Sequence, residues 1–207
     1  EAYFLTALFF ASHRWGNEGS INYGAEAQFL IKEILDKSGR GSGQVSPIFN
    51  MSNHLITFGE TSYDFSDPSY NLPGFFELWA RWTNTNKTFW EATPTAARDL
   101  LYKSANKTTG LYPDYCLFDG TPYKPSWCGY ESDYYKYDAI RCPMNVGMDY
   151  NWFAADSRQQ TMIKNILTFF KNDGYQHGYF TVSGGSPSGG YSEGMAGANG
   201  VGVFALP

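Results

Sequence analysis

Charge is scarce in this chain. Asp, Glu, Lys and Arg make up 17% of its 207 residues, against roughly 25% in an ordinary soluble domain, and the net charge is −5. A weakly acidic balance supplies no field to neutralise phosphates, so nucleic acid is excluded as an expected partner. Long hydrophobic runs are also missing, none approaching the ~18 residues of a membrane-crossing helix, and no membrane partner is expected. Only 3 cysteines and 3 histidines occur. Cys116 and Cys128 bracket a Pro/Gly-rich loop and could pair, whereas Cys142 sits in a helical run as a buried thiol. His13, His54 and His177 are scattered, and neither C-x-x-C nor H-E-x-x-H is present, so no metal or organic cofactor is expected. Gly184-Gly185-Ser186-Pro187 follows no strand and opens no phosphate loop, and Gly185 to Gly189 matches a nucleophile elbow only superficially.

Aromatic residues are what the chain has in excess, at 18%. Flat rings with little charge suit neutral ligands that stack, sugars above all. The length fits one domain, residues 1–207. Both ends are apolar: Glu1 runs directly into Tyr3-Phe4-Leu5, and Val203-Phe204-Ala205-Leu206-Pro207 closes the sequence. Domains usually end in polar residues, so a partial domain is expected. Sequons at Asn50, Asn86 and Asn106 lean slightly towards a secreted or periplasmic location.

Helical spacing dominates. Residues 1–15 place Phe4, Leu8, Ala11 and Trp15 on one face, and residues 22–37 do the same with Ala27, Leu30, Ile31, Ile34 and Leu35, ending in Lys37 before Gly39. A short alternating piece at residues 54–58 predicts a strand or hairpin. Asp67-Pro68 opens a helix expected to reach Trp82, and another covers about 87–105, interrupted or restarted near Pro94. After the loop 106–135, helices return at about 137–154 and 157–172, and a final run follows Tyr191. Every second helix starts in a polar and aromatic cluster: Glu1-Ala2-Tyr3, Asp67-Pro68-Ser69-Tyr70, Tyr137-Asp138-Ala139-Ile140-Arg141 and Tyr191-Ser192-Glu193-Gly194. The helices between, such as 157–172, are more polar. Alternation of buried and half-exposed helices predicts an all-α toroid of helical hairpins, with the clusters gathered at one end.

Within those clusters Asp138 stands out. Arg141 lies three residues on, hence on the same face, and the helix start also favours a carboxylate. Such a carboxylate can orient and deprotonate a water; equally, it can form a purely structural ion pair. Asp67 before Pro68 is a sufficient N-cap, with Tyr70 on the same turn able to project its hydroxyl into a cleft. Glu193 reads as an acid at a helix start after a Gly-rich turn. The loop 112–135 carries Tyr112, Tyr115, Tyr123, Trp127, Tyr130, Tyr134 and Tyr135 with no helical face to bury them, which is how ligand grooves are often lined.

From Ala7-Leu8-Phe9-Phe10-Ala11-Ser12-His13-Arg14-Trp15-Gly16 onward the sequence resembles glycoside hydrolase family 8. The resemblance continues, in order, through Asp67-Pro68-Ser69-Tyr70-Asn71-Leu72-Pro73 and Phe76-Glu77-Leu78-Trp79-Ala80-Arg81-Trp82. Pro113-Asp114-Tyr115, Phe118-Asp119-Gly120 and Tyr137-Asp138-Ala139-Ile140-Arg141 follow, then Asn145 and Asp149-Tyr150-Asn151-Trp152. It is most similar to the xylan-directed branch, which includes reducing-end xylose-releasing exo-oligoxylanases.

The resemblance implies an (α/α)6 barrel and an inverting hydrolase of β-1,4-xylosidic bonds in xylan or xylo-oligosaccharides. Asp138 matches the family's general base, Arg141 the residue that holds base and water, and Tyr70 a tyrosine beside the scissile bond. Asp67, Tyr115, Trp127 and Tyr137 would contact sugar. The general acid of the family sits in a Ser-Glu-Gly motif that belongs before Glu1, and a family Asp that supports the distorted sugar belongs just upstream of Glu1, so both, with the early helices and the final one, are expected to be missing. Ser192-Glu193-Gly194 repeats that motif at the other end of the order, and neighbouring first and last hairpins would bring Glu193 to the vacancy as a speculative acid. The competing readings are a non-catalytic carbohydrate-binding fragment, an endo-β-1,4-glucanase or chitosanase of the same family, and a helical-toroid enzyme of another chemistry such as a terpenoid cyclase. The last would need an acid-rich metal or proton-donor motif, which is absent.

Overall fold

The computed structural model describes residues 2–36, 46–59 and 63–207. Glu1, Lys37 and Gly39, named above as helix signals, lie outside them. Among the described residues seven α-helices alternate between two layers. The inner helices are α1 (Ala2–Trp15), α3 (Pro73–Trp82), α5 (Cys142–Phe153) and α7 (Glu193–Gly202), packed side by side in that order. Outside them lie α2 (Tyr23–Leu35), which pairs with α1, α4 (Lys87–Ser104), which pairs with α3, and α6 (Arg158–Asp173), which packs on α5 and α7. The expected alternation is therefore present as an arc of helical hairpins.

One core cluster joins α1 to α4 through Leu5, Phe9, Ile31, Phe76, Trp79 and Trp90. A second joins α4 to α7 through Leu101, Val146, Ile163, Ile166, Phe170 and Met195. Trp79 pins α3 to α1 by donating its indole N–H to the Thr6 hydroxyl at 2.9 Å.

The α2 face is as expected, with Ala27, Ile31, Ile34 and Leu35 buried and Asn22 capping the helix through the Ala25 N–H. In α1 the expected face holds only for Ala11 and, in part, Leu8. Leu5 and Phe9 are buried with Ala11, while Phe4 is 65% and Trp15 72% exposed. That helix is apolar nearly all round, so its periodicity does not choose a side; packing on α2 and α3 does.

Two expected helices start differently. The segment from Asp67 is a 3-10 turn, Pro68–Tyr70, followed by extended Asn71 and Leu72 before α3 begins at Pro73. Proline disfavours the helical region for the residue before it, which breaks the run at Leu72. Likewise Tyr137–Arg141 is a 3-10 turn leading into α5. Pro143 has no N–H to give the Ala139 carbonyl, and Cys142 donates there instead. Pro94, by contrast, does not interrupt α4; Phe89, Trp90, Ala97, Leu100 and Leu101 on both sides of it are buried and carry the helix across.

Among the described residues strand is confined to short ladders. β1 (Phe65–Ser66) pairs antiparallel with β2 (Cys116–Leu117), and β3 (Tyr134–Tyr135) with β4 (Phe180–Thr181). Of the strand expected at residues 54–58, a single bridge between Ile56 and Phe49 forms. β1 and β3 directly precede the two 3-10 turns, so the ladders clamp the loops at the end where the inner helices begin. The Cys116–Cys128 pairing does not occur: all three cysteines are free and buried. Cys116 packs with Leu55 and Leu100, whereas Cys128 belongs to a separate cluster with Phe65 and Tyr115. No helix among the described residues is long and apolar enough to cross a membrane.

Candidate active site

The starts of α1, α3 and α5 enclose one cleft of about 390 Å³, lined by Ala2, Tyr3, Ile56, Phe58, Ser69, Tyr70 and Arg141 among others. The expected gathering of the helix-start clusters thus holds for these three. The fourth cluster borders a neighbouring hollow, where Tyr191 and Ser192 meet Tyr137 and Ile140.

Asp138 and Arg141 form the centre. Three residues per turn in a 3-10 helix eclipse positions i and i+3, and Asp138 Oδ2 lies 2.7 Å from Arg141 Nη2. The two side chains are 46% and 38% exposed, so the pair is open to a ligand. Arg141 is held from behind: its Nε and Nη2 donate to Ser69 Oγ at 3.2 and 2.8 Å. Its guanidinium carbon also sits 5.6 Å from the Tyr70 ring centre. The Ser69 carbonyl in turn accepts the Asn145 amide at 2.8 Å. Neither Ser69 nor Asn145 was singled out for a role from sequence. The signal available was their position, in the polar cluster before α3 and one helical turn beyond Arg141.

Asp67 is fully buried rather than facing the cleft. One oxygen caps the Ser69 N–H at 2.7 Å, as expected of an N-cap, and the other is 3.7 Å from Arg141 Nη2 with no hydrogen bond of its own. Burial pushes its pKa well above the usual carboxylate range, outweighing the Ser69 contacts and the Arg141 charge. Asp67 therefore reaches the cleft only through Arg141. Tyr70 lines the cleft wall, and burial with the charges of Asp67 and Asp138 raises its pKa to about 12, so its hydroxyl keeps its proton.

The loop 112–135 is less of a groove than its composition suggested. Tyr112 and Tyr135 enter the second core cluster, and Tyr115, 8% exposed, packs with Phe65, Tyr123 and Tyr130. A long loop of this kind makes its own small core when residues from elsewhere, here Phe58 and Tyr63, pack on it. Trp127 is the exception at 55% exposed, its ring 5.9 Å from Phe58, which stacks towards Tyr70. Tyr137 is 49% exposed, between the rings of Tyr130 and Tyr179, with a left-handed backbone (φ 39°).

Glu193 is exposed at the first position of α7, and Ser192 is the residue that caps that helix, accepting the Met195 N–H. Among the described residues no hydrogen bond or ion pair joins Glu193 to Asp138 or Arg141. The principal neighbours of α7 are α5 and the Tyr137–Arg141 turn, while those of α1 are α2 and α3. No group of three or more His, Cys, Asp or Glu side chains among the described residues is arranged to hold a metal.

Comparison with known proteins places this arrangement. The chain is 38% identical over 173 residues to a reducing end xylose-releasing exo-oligoxylanase of Halalkalibacterium halodurans, covering 82% of the chain and 43% of that protein. It is 37% identical over 187 residues to the exo-oligoxylanase Rex8A of Paenibacillus barcinonensis, covering 89% and 48%. The chain thus spans about half the length of the curated relatives it matches. A solved GH8 xylobiose complex from Teredinibacter turnerae superposes with a TM-score of 0.90 at 34% identity, over 99% of this chain and 55% of that one. The arc of hairpins is accordingly part of an (α/α)6 toroid. The family model described as "Glycosyl hydrolases family 8" matches residues 2–201, and with these relatives it establishes that the chain belongs to that family.

Proposed function

We propose that the chain carries the base half of an inverting glycoside hydrolase acting on β-1,4-linked xylo-oligosaccharides or xylan. The observation that carries this reading is the Asp138–Arg141 pair, exposed at the edge of a cleft with aromatic walls and fastened from behind by Ser69. Xylan is favoured over other β-1,4-glycans by the names of the similar exo-oligoxylanases and by the xylobiose-bound neighbour.

In the proposed reaction Asp138 accepts a proton from water as that water attacks the anomeric carbon, and a carboxylic acid on the far side of the sugar protonates the departing oxygen. The nucleophile enters opposite to the leaving group, so a β-linked substrate yields an α-anomer. An inverting pair stands about 6.5–9.5 Å apart, leaving room for the water. Arg141 orients the base by taking one of its oxygens. Tyr70 supplies a hydroxyl donor on the cleft wall, while Trp127 and Tyr137 offer exposed rings for sugar faces. Glu193 is the candidate acid within the chain.

The test is proton NMR of the chain with xylo-oligosaccharides, following the new anomeric signals, beside Asp138→Asn and Glu193→Gln. Appearance of α-anomer, with kcat reduced about 10²–10⁴-fold in Asp138→Asn and binding retained, supports the reading. Loss of turnover in Glu193→Gln assigns the acid to Glu193. Unchanged turnover in Asp138→Asn overturns the base assignment, and turnover of cello-oligosaccharides alone overturns the substrate.

A further inference from the structure

Asp114 is a buried carboxylate for which the proposed reaction has no use. It is 1% exposed, in the segment that joins the buried Tyr112 to β2. Both oxygens are occupied. Oδ2 accepts the Tyr130 hydroxyl at 2.6 Å, and Oδ1 accepts the backbone N–H of Asp138 at 3.0 Å. Its own N–H goes to the Tyr134 carbonyl at 2.8 Å, so the loop around it is tied on both sides. A carboxyl removed from water is costly unless its oxygens are satisfied, and here the donor of one bond is the peptide that carries the base.

That peptide needs support. Tyr137, immediately before Asp138, has φ 39°, a left-handed conformation costly for a bulky aromatic residue. Lys136, which precedes it, is extended (φ −150°, ψ 167°) and provides no side-chain cap to the 3-10 turn. The next residue, Ala139, donates its N–H back to the Lys136 carbonyl at 2.9 Å, closing the turn. The orientation of the Asp138 N–H, and with it the direction of the Cα–Cβ bond towards Arg141, is thus set by Asp114 from below.

We propose that Asp114 is a positioning residue for the base, its carboxylate, steadied by Tyr130, holding the strained Tyr137-Asp138 turn so that the Asp138 side chain meets Arg141. The assignment of Asp138 as base rests on the function proposed above; the brace itself is a statement about the turn. Around Asp114 the charged and titratable groups are Tyr130, Tyr115, Asp138, Asp67 and Cys142.

Two readouts on the full chain separate the two claims. The amide proton of Asp138, bonded to a carboxylate, should shift with pH as Asp114 titrates, with a midpoint of about 6. That titration should vanish in Asp114→Asn and persist in Tyr130→Phe. An Asp138 amide that ignores pH in the wild type, or one that titrates equally in Asp114→Asn, overturns the brace whether or not the chain is active. The second readout is kinetic. A displacement of about 1 Å at a reacting group costs on the order of 10²-fold, so Asp114→Asn should lose kcat to that extent with KM within about twofold. A KM rise with unchanged kcat overturns the positioning role. Absence of turnover in the wild type, with the amide titration intact, counts against the proposed function and leaves the brace standing.

Discussion

Ser69 accepts two N–H groups from Arg141, a residue 72 positions later, at 3.2 and 2.8 Å. This contact joins the start of α3 to the start of α5 and aims the guanidinium at Asp138. Ser69 is buried, but the Arg141 side chain is 38% exposed and keeps Asp138 as a partner, so the contact's value lies in direction more than in stability. In Ser69→Ala the guanidinium loses its rear anchor but keeps Asp138. The expected outcome is a kcat fall of about tenfold, within the range of one hydrogen bond to a charged group, with melting temperature nearly unchanged. Steady-state kinetics and a thermal melt on the same variant check it; an unaltered kcat would mean that Asp138 and Tyr70 hold Arg141 unaided.

At Gly147 the backbone of α5 lies close against that of α7. A Cβ built there would stand 2.5 Å from the Val201 carbonyl oxygen and 2.6 Å from Gly202 Cα, both backbone atoms that cannot swing aside. Gly147→Ala should therefore destabilise by about 1–3 kcal/mol, although alanine is the better helix former. Urea unfolding monitored by circular dichroism would reveal it as a lower midpoint. Stabilisation by alanine would mean that the helices separate at little cost.

Arg98 on α4 bridges to α5 and α3. It donates twice to Asp149 at 2.8 Å and lies 3.0 Å from Glu77, with Asp149 fully buried and also accepting from Gln159. Removing one member of a buried pair leaves the other charge uncompensated, typically at about 3–5 kcal/mol. Arg98→Ala should show that loss by denaturant titration. The double variant Arg98→Met with Asp149→Leu should recover much of it, because no fully buried charge is left alone and the partly exposed Glu77 keeps Arg81 at 3.4 Å.

Stability should also fall as pH rises through the mildly acidic range. Burial raises Asp114 from 3.8 to about 6 and lifts Asp67 well above 3.8. A carboxyl with a raised folded pKa binds more protons when folded, so its contribution is full below the unfolded pKa and is lost as pH rises through the folded one. Asp119, Asp156 and Asp173 are lowered and act in the opposite sense, but below their ordinary range, where acid removes their contribution. Chemical unfolding measured from pH 4.5 to 7 should give a declining free energy, with a shallower decline in Asp114→Asn. A flat profile in the wild type would show that neither carboxyl is raised.

Much of this was written locally. The apolar face of α2, the Asp67 cap before Pro68 and the Asp138–Arg141 pair each depend on residues within four positions of one another, and the backbone brings such neighbours together without help. The alternation of apolar and polar helices likewise needs only the composition of each helix. Three prolines misled by position: Pro73 and Pro143 broke expected helices, while Pro94 was carried through by packing on both sides.

What the tertiary structure alone decided are relationships between distant segments. The all-round apolar α1 takes its buried stripe from the helices it meets, and Tyr112 and Tyr135 enter the core among Leu101, Val146, Ile163 and Phe170 of α4, α5 and α6, while Phe58, Tyr63 and Phe65 pack on other aromatics of the loop 112–135. Ser69 behind Arg141 and Asp114 beneath Asp138 are separated by 72 and 24 residues. No pattern in the chain marks such pairs, since a serine or aspartate in a loop has many possible partners. Packing of the loops at the starts of the inner helices is what brings these residues to their partners.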